Sequence, residues 1–219
     1  MAEMNDSFNE VTAEMLKVIS DYDSVTGFQG AYNIRQDSMC AGRKNSENIT
    51  IESKTDKPGI NIRIKPGTKG ETVYIPACVT HSNVDDLVYN DFFIGEGADV
   101  TIVAGCGVHS DGSETARHNG IHRFFLEKGA KVLYKEKHIG TGKGTGLRSI
   151  DPVTDAYLKE DSYLEMDTVQ LRGVDRTTRS TSAVLDKGAK IVVRERIMTD
   201  GDEDAVTKFK VELNGEDCG

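Results

Sequence analysis

The stretch LEKGAKVLYKEKH, residues 126–138, recurs as LDKGAKIVVRERI at residues 185–197, mostly with conservative changes. Each copy joins an aliphatic residue and a short Gly-containing turn to a run of alternating side chains, which is typical of a strand that follows a tight corner. Because successive side chains of a strand point to opposite faces, four side chains of the first copy share one face: Val132, Tyr134, Glu136 and His138. The stretch therefore predicts one rung of a repeating β structure.

The first five residues of this stretch define a phrase that recurs along the chain. An aliphatic residue, two polar or turn-forming residues, and a Gly or small polar residue begin at six positions: Ile64, Ile94, Leu126, Leu158, Leu185 and Leu213. The starts lie 30, 32, 32, 27 and 28 residues apart. This spacing predicts an all-β fold, a parallel β-helix of stacked rungs with a repeat of about 27–32 residues.

A different pattern precedes the rungs. Apolar residues at three- and four-residue steps predict an amphipathic helix over residues 5–22, with Asn5, Asp6 or Ser7 as its N-cap. We expect this helix to cap the first rung and hide an open sheet edge. The chain then divides into a helix with a connecting segment, residues 1–48, and a β-helix core, residues 49–219, which we expect to be incomplete at its C-terminus.

Composition excludes several classes of function. The 219 residues carry a net charge of −9, which argues against a nucleic-acid surface because phosphate binding needs clustered Lys and Arg. No apolar run approaches the length of a membrane span, and the N-terminus lacks the order of a signal peptide. We therefore expect no nucleic-acid partner, no membrane association and a cytoplasmic location.

The strand phase places chemistry inside the predicted stack. Residues 32 positions apart fall into one column, which consists of Cys106, His138 and Gln170. The neighbouring column consists of Ala104, Glu136 and Thr168. Stacked strands lie about 4.8 Å apart, so side chains within a column touch. Such groups are costly to bury unless they are paired or functional, and the structural alternative is a satisfied polar ladder.

Metal and nucleotide sites have only fragmentary support. Cys106, His109 and His138 are candidate metal ligands, although no CxxC or HExxH spacing accompanies them. His118 and His122 are interpreted as surface or loop residues, and the four cysteines as free thiols. The segment GTGKGTG, residues 140–146, fails the P-loop pattern because Gly144 follows Lys143.

Six phrases together resemble the SufB/SufD iron–sulfur cluster assembly proteins, especially short archaeal and anaerobe forms: RHNGIH (117–122), LEKGAKV (126–132), YLEMD (163–167), RTTR (176–179), ERIMTDG (195–201) and VELNGE (211–216). The resemblance implies a right-handed parallel β-helix that acts as a scaffold, either as a homodimer or as a heterodimer with a SufB/SufD paralogue. It also implies a SufC-like ATPase as partner and a transient iron–sulfur cluster as cargo.

The resemblance also suggests site residues. Longer members are thought to pass sulfur along the helix interior, which makes Cys106, His138, Gln170 and Glu136 candidates for a sulfur path or for cluster assembly. A thiolate at Cys106 would need a neighbour that depresses its pKa, and His138 or a Lys could serve. Family members continue beyond the VELNGE phrase, where they carry the Cys and the His/Glu pair associated with the cluster. We therefore expect this chain to be a fragment or a truncated form that retains a cluster poorly.

Other functions stay open at this point. IGEGADV, residues 94–100, suggests a left-handed β-helix acyltransferase, but the six-residue period is lost after Val100. A carbohydrate-active β-helix enzyme would need aromatic stacking platforms, and the chain has no Trp. A purely structural β-solenoid module is the remaining alternative. The favoured hypothesis is an assembly scaffold, not an enzyme, with no catalytic residues.

Overall fold

The computed structural model describes residues 7–23 and 25–219. Over these residues the chain forms one α-helix, α1 (Glu10–Ile19), and fifteen strands. The strands are β1 (Ala31–Gln36), β2 (Met39–Lys44), β3 (Ile49–Ser53), β4 (Gly59–Ile64), β5 (Lys69–Val79), β6 (Val84–Ile94), β7 (Asp99–His109), β8 (Ala116–Leu126), β9 (Lys131–Thr141), β10 (Arg148–Ile150), β11 (Val153–Leu158), β12 (Tyr163–Gln170), β13 (Arg176–Leu185), β14 (Lys190–Ile197) and β15 (Asp204–Leu213).

From β5 onward the chain alternates between two parallel sheets, with the consecutive strands β10 and β11 both in the second sheet. The first sheet has the order β14-β12-β9-β7-β5-β1-β2, and the second has the order β10-β13-β11-β8-β6-β4-β3 with β15 paired to β13. Each turn of the chain contributes a strand to each sheet, which gives a parallel β-solenoid of about five turns. The all-β fold of stacked rungs that the repeat predicts is confirmed.

The recurring phrase forms the corner at which the chain leaves the second sheet and enters the first. In the LEKGA copy the amide of Ala130 donates to the carbonyl of Glu127 at 3.0 Å, and Gly129 has a φ of 64°. The equivalent positions Gly67, Gly97, Asp161 and Gly188 also have left-handed φ values. Glycine adopts this conformation without a steric cost, which explains its recurrence at the fourth position of the phrase.

The helix is shorter than predicted, and it packs against a different part of the solenoid. It begins at Glu10, and its N-cap is Asn9, whose side chain accepts from the amide of Thr12 at 2.9 Å. Ser7 is therefore not the cap, and Asn5 and Asp6 lie outside the described residues. The helix packs on the outer face of β5, β7 and β9, so the expectation that it covers a sheet edge is wrong.

Two glycines of β7 make this packing possible. A Cβ atom at Gly105 would lie 2.5 Å from the carbonyl oxygen of Ile19, and one at Gly107 would lie 2.5 Å from Sδ of Met15. The helix thus rests directly on the backbone of β7 at these positions. Because strand side chains alternate, Cys106 between them points into the solenoid.

The N-terminal edge of each sheet is formed by antiparallel strands. β2 pairs antiparallel with β1, which in turn pairs parallel with β5, and β3 pairs antiparallel with β4. The division into residues 1–48 and 49–219 stays a prediction, although β1 and β2 extend the first sheet from the N-terminal side of that boundary.

The interior has an apolar part and a polar part. Next to the recurring corner, columns such as Ile64, Ile94, Leu126, Leu158 and Leu185 are in register through the second sheet and are fully buried. A smaller apolar cluster that includes Val108 and Ile150 fills the opposite side. Buried polar and charged side chains lie between these two clusters, and they form the candidate site.

Candidate functional site

The predicted column is formed by three neighbouring strands of the first sheet. Cys106 on β7 is in register with His138 on β9, which is in register with Gln170 on β12. The three residues are 3%, 1% and 3% exposed. Ala104, Glu136 and Thr168 form the second column in the same way, and all three are buried. The sheet therefore brings the four candidates Cys106, His138, Gln170 and Glu136 together.

His109 does not join this group. It is the last residue of β7, only half-buried, and its Nδ1 lies 2.9 Å from Oγ1 of Thr141. Among the described residues no group of three or more His, Cys, Asp and Glu side chains is arranged to hold a metal ion. A metal site formed by Cys106, His109 and His138 thus stays a prediction without geometric support.

Glu136 is the centre of a buried network. The hydroxyl of Tyr134 donates to its Oε1 at 2.8 Å, and Nη1 of Arg179 donates to its Oε2 at 2.8 Å. Arg179 reaches this carboxylate from β13 in the opposite sheet. Burial alone would raise the pKa of Glu136, but His138 and Arg179 outweigh it and hold the pKa well below its ordinary value. The carboxylate is therefore ionised and paired.

The neighbours of His138 determine which of its ring nitrogens carries the proton. Its Nδ1 lies 3.4 Å from Nη2 of Arg179, which can only donate, so we assign the imidazole proton to Nε2, 3.4 Å from Oε1 of Glu136. Burial lowers the pKa of His138 in spite of the adjacent carboxylate. At neutral pH the ring is therefore a neutral imidazole between a cation and an anion.

His122 extends the network into the second sheet. The hydroxyl proton of Tyr134 is directed at Glu136, so its oxygen accepts from Nδ1 of His122 at 2.8 Å. Nε2 of His122 then accepts from Nδ2 of Asn90 at 3.4 Å. Burial lowers the pKa of His122 to about 4, which makes this ring neutral as well.

The Cys106 thiol differs from the sequence-based expectation. Burial raises its pKa well above the ordinary value, and the nearby Cys78, Glu136 and Asp86 act in the same direction. Neither His138 nor a Lys therefore serves to depress this pKa, as the sulfur path predicted from the sequence would need. The group is a protonated thiol at neutral pH, and it becomes a nucleophile only by giving its proton to a neighbouring base.

A second buried ion pair flanks the network. Arg35 on β1 contacts Asp86 through Nη2 at 2.6 Å from Oδ1 and through Nε at 2.9 Å from Oδ2. Nδ1 of His118 lies 3.0 Å from Oδ2 of the same carboxylate. Burial would raise the pKa of Asp86, but His118 and Arg35 hold it far below the ordinary value. Asp86 is therefore an ionised, fully enclosed carboxylate.

These groups surround a small interior cavity of about 20 Å³, which is room for about one water molecule. Five chemistry-bearing side chains line it: Cys106, His118, His122, Glu136 and His138. The interpretation of His118 and His122 as surface or loop residues is wrong, because both lie in β8 and are 5% and 6% exposed. A sequence signal for them exists, since Asp86 and Asn90 precede them by one 32-residue repeat.

Two buried side chains beyond His138 lack partners. Within the described residues, neither amide atom of Gln170 makes a hydrogen bond, and neither does Oγ1 of Thr168. Buried polar groups without partners are unusual, because leaving one unpaired costs about 1–3 kcal/mol. Each of the two columns thus has one unpaired polar side chain on β12, the strand next to the network.

None of the described helices is both long enough and apolar enough to cross a membrane. This finding concerns residues 7–23 and 25–219.

Two curated relatives match part of the chain. Both are named as iron–sulfur cluster assembly SufBD family proteins and come from Methanothermobacter thermautotrophicus, one from strain Winter and one from strain Delta H. They are 32% and 30% identical to this chain over 89 residues, which is 40% of this chain and 21% of each relative. The match thus spans about a fifth of the relatives' length. No family model matches the chain.

The two matches support a SufB/SufD-like assignment of this chain. The resemblance predicted from the sequence is confirmed at that level.

Proposed function

We propose that this chain is a scaffold component of SUF-type iron–sulfur cluster assembly and that its interior column carries sulfur. The observation that carries the proposal is the buried column itself, in which Cys106, His138 and Gln170 stack in register beside Glu136. The names of the two relatives support the assembly role. The left-handed acyltransferase alternative is not favoured, since the chain coils with 27–32 residues per repeat through two sheets.

The chemistry proposed for Cys106 is sulfur relay. The thiol passes its proton to Nδ1 of His138, the ring nitrogen that carries no proton, as Arg179 gives up its 3.4 Å contact with that atom. The thiolate then attacks the terminal sulfur of a donor persulfide. The donor S–S bond breaks as the new S–S bond to Cys106 forms, and the donor leaves as a thiolate that regains a proton. Sulfur is transferred without net oxidation. Burial and the nearby Arg179 keep His138 neutral before the transfer, and the contacts of Arg179 and Glu136 with the two ring nitrogens orient the ring.

The remaining parts of the proposal follow from the assembly role. The iron–sulfur cluster is cargo that is built and passed on, and the protein is not an enzyme on its own. A SufC-like ATPase supplies nucleotide hydrolysis, and the scaffold works as a homodimer or with a SufB/SufD paralogue in the cytoplasm. Co-purification of the tagged chain with the cognate ATPase, followed by size-exclusion chromatography, tests this partnership.

Sulfur loading tests the relay directly. The chain is incubated anaerobically with cysteine and a cysteine desulfurase, and peptides are analysed by mass spectrometry under non-reducing conditions. We expect one added sulfur atom on the peptide that contains Cys106, its loss in Cys106→Ser, and its retention in the matched control Cys218→Ser. Sulfur on Cys218 alone, or equal loading of Cys106→Ser, would contradict the proposal.

A further inference from the structure

A larger pocket opens at the N-terminal end of the solenoid, between β2, the β3–β4 hairpin and β5. Its volume is about 270 Å³. Among the described residues, every charged side chain that lines it is cationic, and these are Arg35, Arg43, Lys54 and Lys57. This is unexpected in a chain with a net charge of −9. We call this the basic pocket.

Two of the four cations form ion pairs with buried aspartates. Arg35 pairs with Asp86, and Nζ of Lys54 lies 2.6 Å from Oδ2 of Asp91. Asp91 is shared, because Arg123 also contacts it at 2.6 Å. Three cationic side chains thus contact the two carboxylates, so the carboxylates have no charge left to neutralise the other cations of the pocket.

Neither of the other two cations has a hydrogen-bonded carboxylate among the described residues. Nε of Arg43 donates to Oδ1 of Asn33 at 2.8 Å, and no carboxylate contacts this guanidinium within the described part of the chain. Nζ of Lys57 lies 4.6 Å from the ring centre of Tyr89 and 3.8 Å from Oδ2 of Asp56, which is too long for a hydrogen bond. The surplus positive charge of the basic pocket therefore belongs to Arg43, and to Lys57 as far as its long ion pair with the exposed Asp56 leaves it unscreened.

The basic pocket adjoins the interior cavity. Ile75, Ala77 and Asn90 line both spaces. Asn90 is only 7% exposed, and its Oδ1 has no hydrogen-bond partner among the described residues. A buried, half-satisfied amide at the boundary is a group that a bound molecule or water would satisfy.

A thiol lies on the wall of the basic pocket. Cys40 is half-buried, and its Sγ lies 3.4 Å from Oδ1 of Asn33, the oxygen that Arg43 also contacts. The thiol and the unmatched guanidinium therefore share one anchoring residue. An anion held by Arg43 would lie close to this sulfur.

We propose that the basic pocket binds a small oxyanion, such as thiosulfate, sulfate or phosphate, through Arg43 and Lys57. Arg is suited to such ligands because its planar fork matches two oxygens, and Lys adds a compact charge. The volume also admits a small organic group attached to the anion. This inference rests on the charge and shape of the pocket and stands whether or not Cys106 relays sulfur.

Calorimetric titration of the full chain with each of the three anions tests the site. We expect saturable binding, and at least about tenfold weaker binding in Arg43→Gln/Lys57→Gln, because this variant removes both charge-assisted contacts. The control Lys159→Gln/Lys208→Gln removes the same charge from exposed positions and should leave the affinity unchanged. The rank order of the anions separates a sulfur-bearing ligand from phosphate. No binding, or an equal loss in the control, would overturn the proposal.

Thiol reactivity gives a second readout that does not need tight binding. In a Cys218→Ser background, the rate at Cys40 is measured with dianionic dithiobis(nitrobenzoate) and with neutral dithiodipyridine. The basic pocket should favour the dianionic reagent, and thiosulfate should slow it competitively. In Arg43→Gln/Lys57→Gln the rate ratio should fall by about tenfold, which would require loss of roughly 1.4 kcal/mol of attraction. An unchanged ratio in a variant with a native circular dichroism spectrum would refute the site.

Discussion

The apolar part and the polar part of the solenoid interior are formed by the same strands, but their residues repeat differently from turn to turn. On β9, Val132 lies beside the corner in the apolar part, whereas Glu136 and His138 lie four and six residues further along in the polar part. The apolar columns repeat almost unchanged from turn to turn, as in Ile94, Leu126 and Leu158. The polar columns change at each step, as in Cys106, His138 and Gln170. Similar side chains at each turn allow the apolar columns to stack, whereas different side chains at the same spacing bring different chemical groups together in the polar columns.

The energetics of the two parts differ in kind. Burial of each large aliphatic or aromatic side chain contributes about 1.5–3 kcal/mol without directional demands. The polar part contributes only while every partner is in place, because an uncompensated buried charge is strongly destabilising. The comparison predicts that the apolar part sets stability and that the polar part sets its pH dependence.

The largest expected effect is in the apolar part. Phe124→Ala removes a fully buried ring that stacks on Phe92 at 4.6 Å between centroids and contacts Tyr134. We expect the free energy of unfolding to fall by about 3–5 kcal/mol, measured by urea denaturation. Phe125→Ala, on the outer face of the same strand, is the matched control and should cost much less. Equal losses would show that the two faces of β8 do not differ as described.

Removal of one charge from the polar part should approach this loss. Arg179→Met leaves Glu136 without its cation, and we expect destabilisation of about 3 kcal/mol or more. Glu136→Gln added to this variant removes the more deeply buried of the two carboxylates that Arg179 pairs with, the other being Glu195, and should restore part of the stability. A double variant less stable than Arg179→Met would contradict the assignment of Glu136 as the buried anion.

The pH dependence of stability isolates the histidines. His122 has a folded-state pKa of about 4, below its ordinary value of 6.5, so the folded state binds fewer protons than the unfolded state between these values. Its contribution is complete above pH 6.5 and is lost as the pH falls toward 4, with up to about 3 kcal/mol at stake. Burial shifts the pKa of His138 in the same direction.

Denaturation measured from pH 7 to pH 4 checks this prediction. His122→Gln should flatten the curve over this window, whereas His81→Gln, which changes an exposed histidine, should leave the curve as in the parent. A curve for His122→Gln that matches the parent would contradict the buried, neutral assignment.

The smallest effect concerns the corner that joins the two parts. Gly97 has a φ of 62° with nothing near the position of a Cβ atom, so Gly97→Ala meets only the backbone penalty. We expect a loss of about 1–2 kcal/mol in thermal unfolding, with Glu96→Ala as the neighbouring control. A larger loss would mean that the corner also governs packing of the interior.

The sequence predicts contacts along a sheet better than contacts between sheets. The 32-residue spacing places Cys106 beside His138 because neighbouring strands are about 4.8 Å apart and keep their register. It gives no signal for Arg179, which reaches Glu136 from the opposite sheet, a contact that depends on how the two sheets face each other. His118 and His122 escaped recognition because their strand has polar residues on both faces, which removes the alternation that marks a buried face.

The N-terminal region was harder to predict for a related reason. β1 and β2 follow no repeat, so their place in the first sheet comes from pairing with β5 and not from a sequence period. The position of α1 depends on Gly105 and Gly107, which allow the helix to approach the backbone of β7. Nothing in the sequence pattern indicates that a helix packs against these two glycines.

Those two glycines also bear on the slow motions of the molecule. The strand that carries Cys106 inward is covered on its outer side by α1, with no side chain of residues 105 and 107 between helix and backbone. Solvent reaches this thiol from that side only if the helix first lifts away. The amide hydrogens of residues 105–107 should therefore be among the slowest in the chain to exchange with deuterium, and the labelling rate of Cys106 should follow the same opening event.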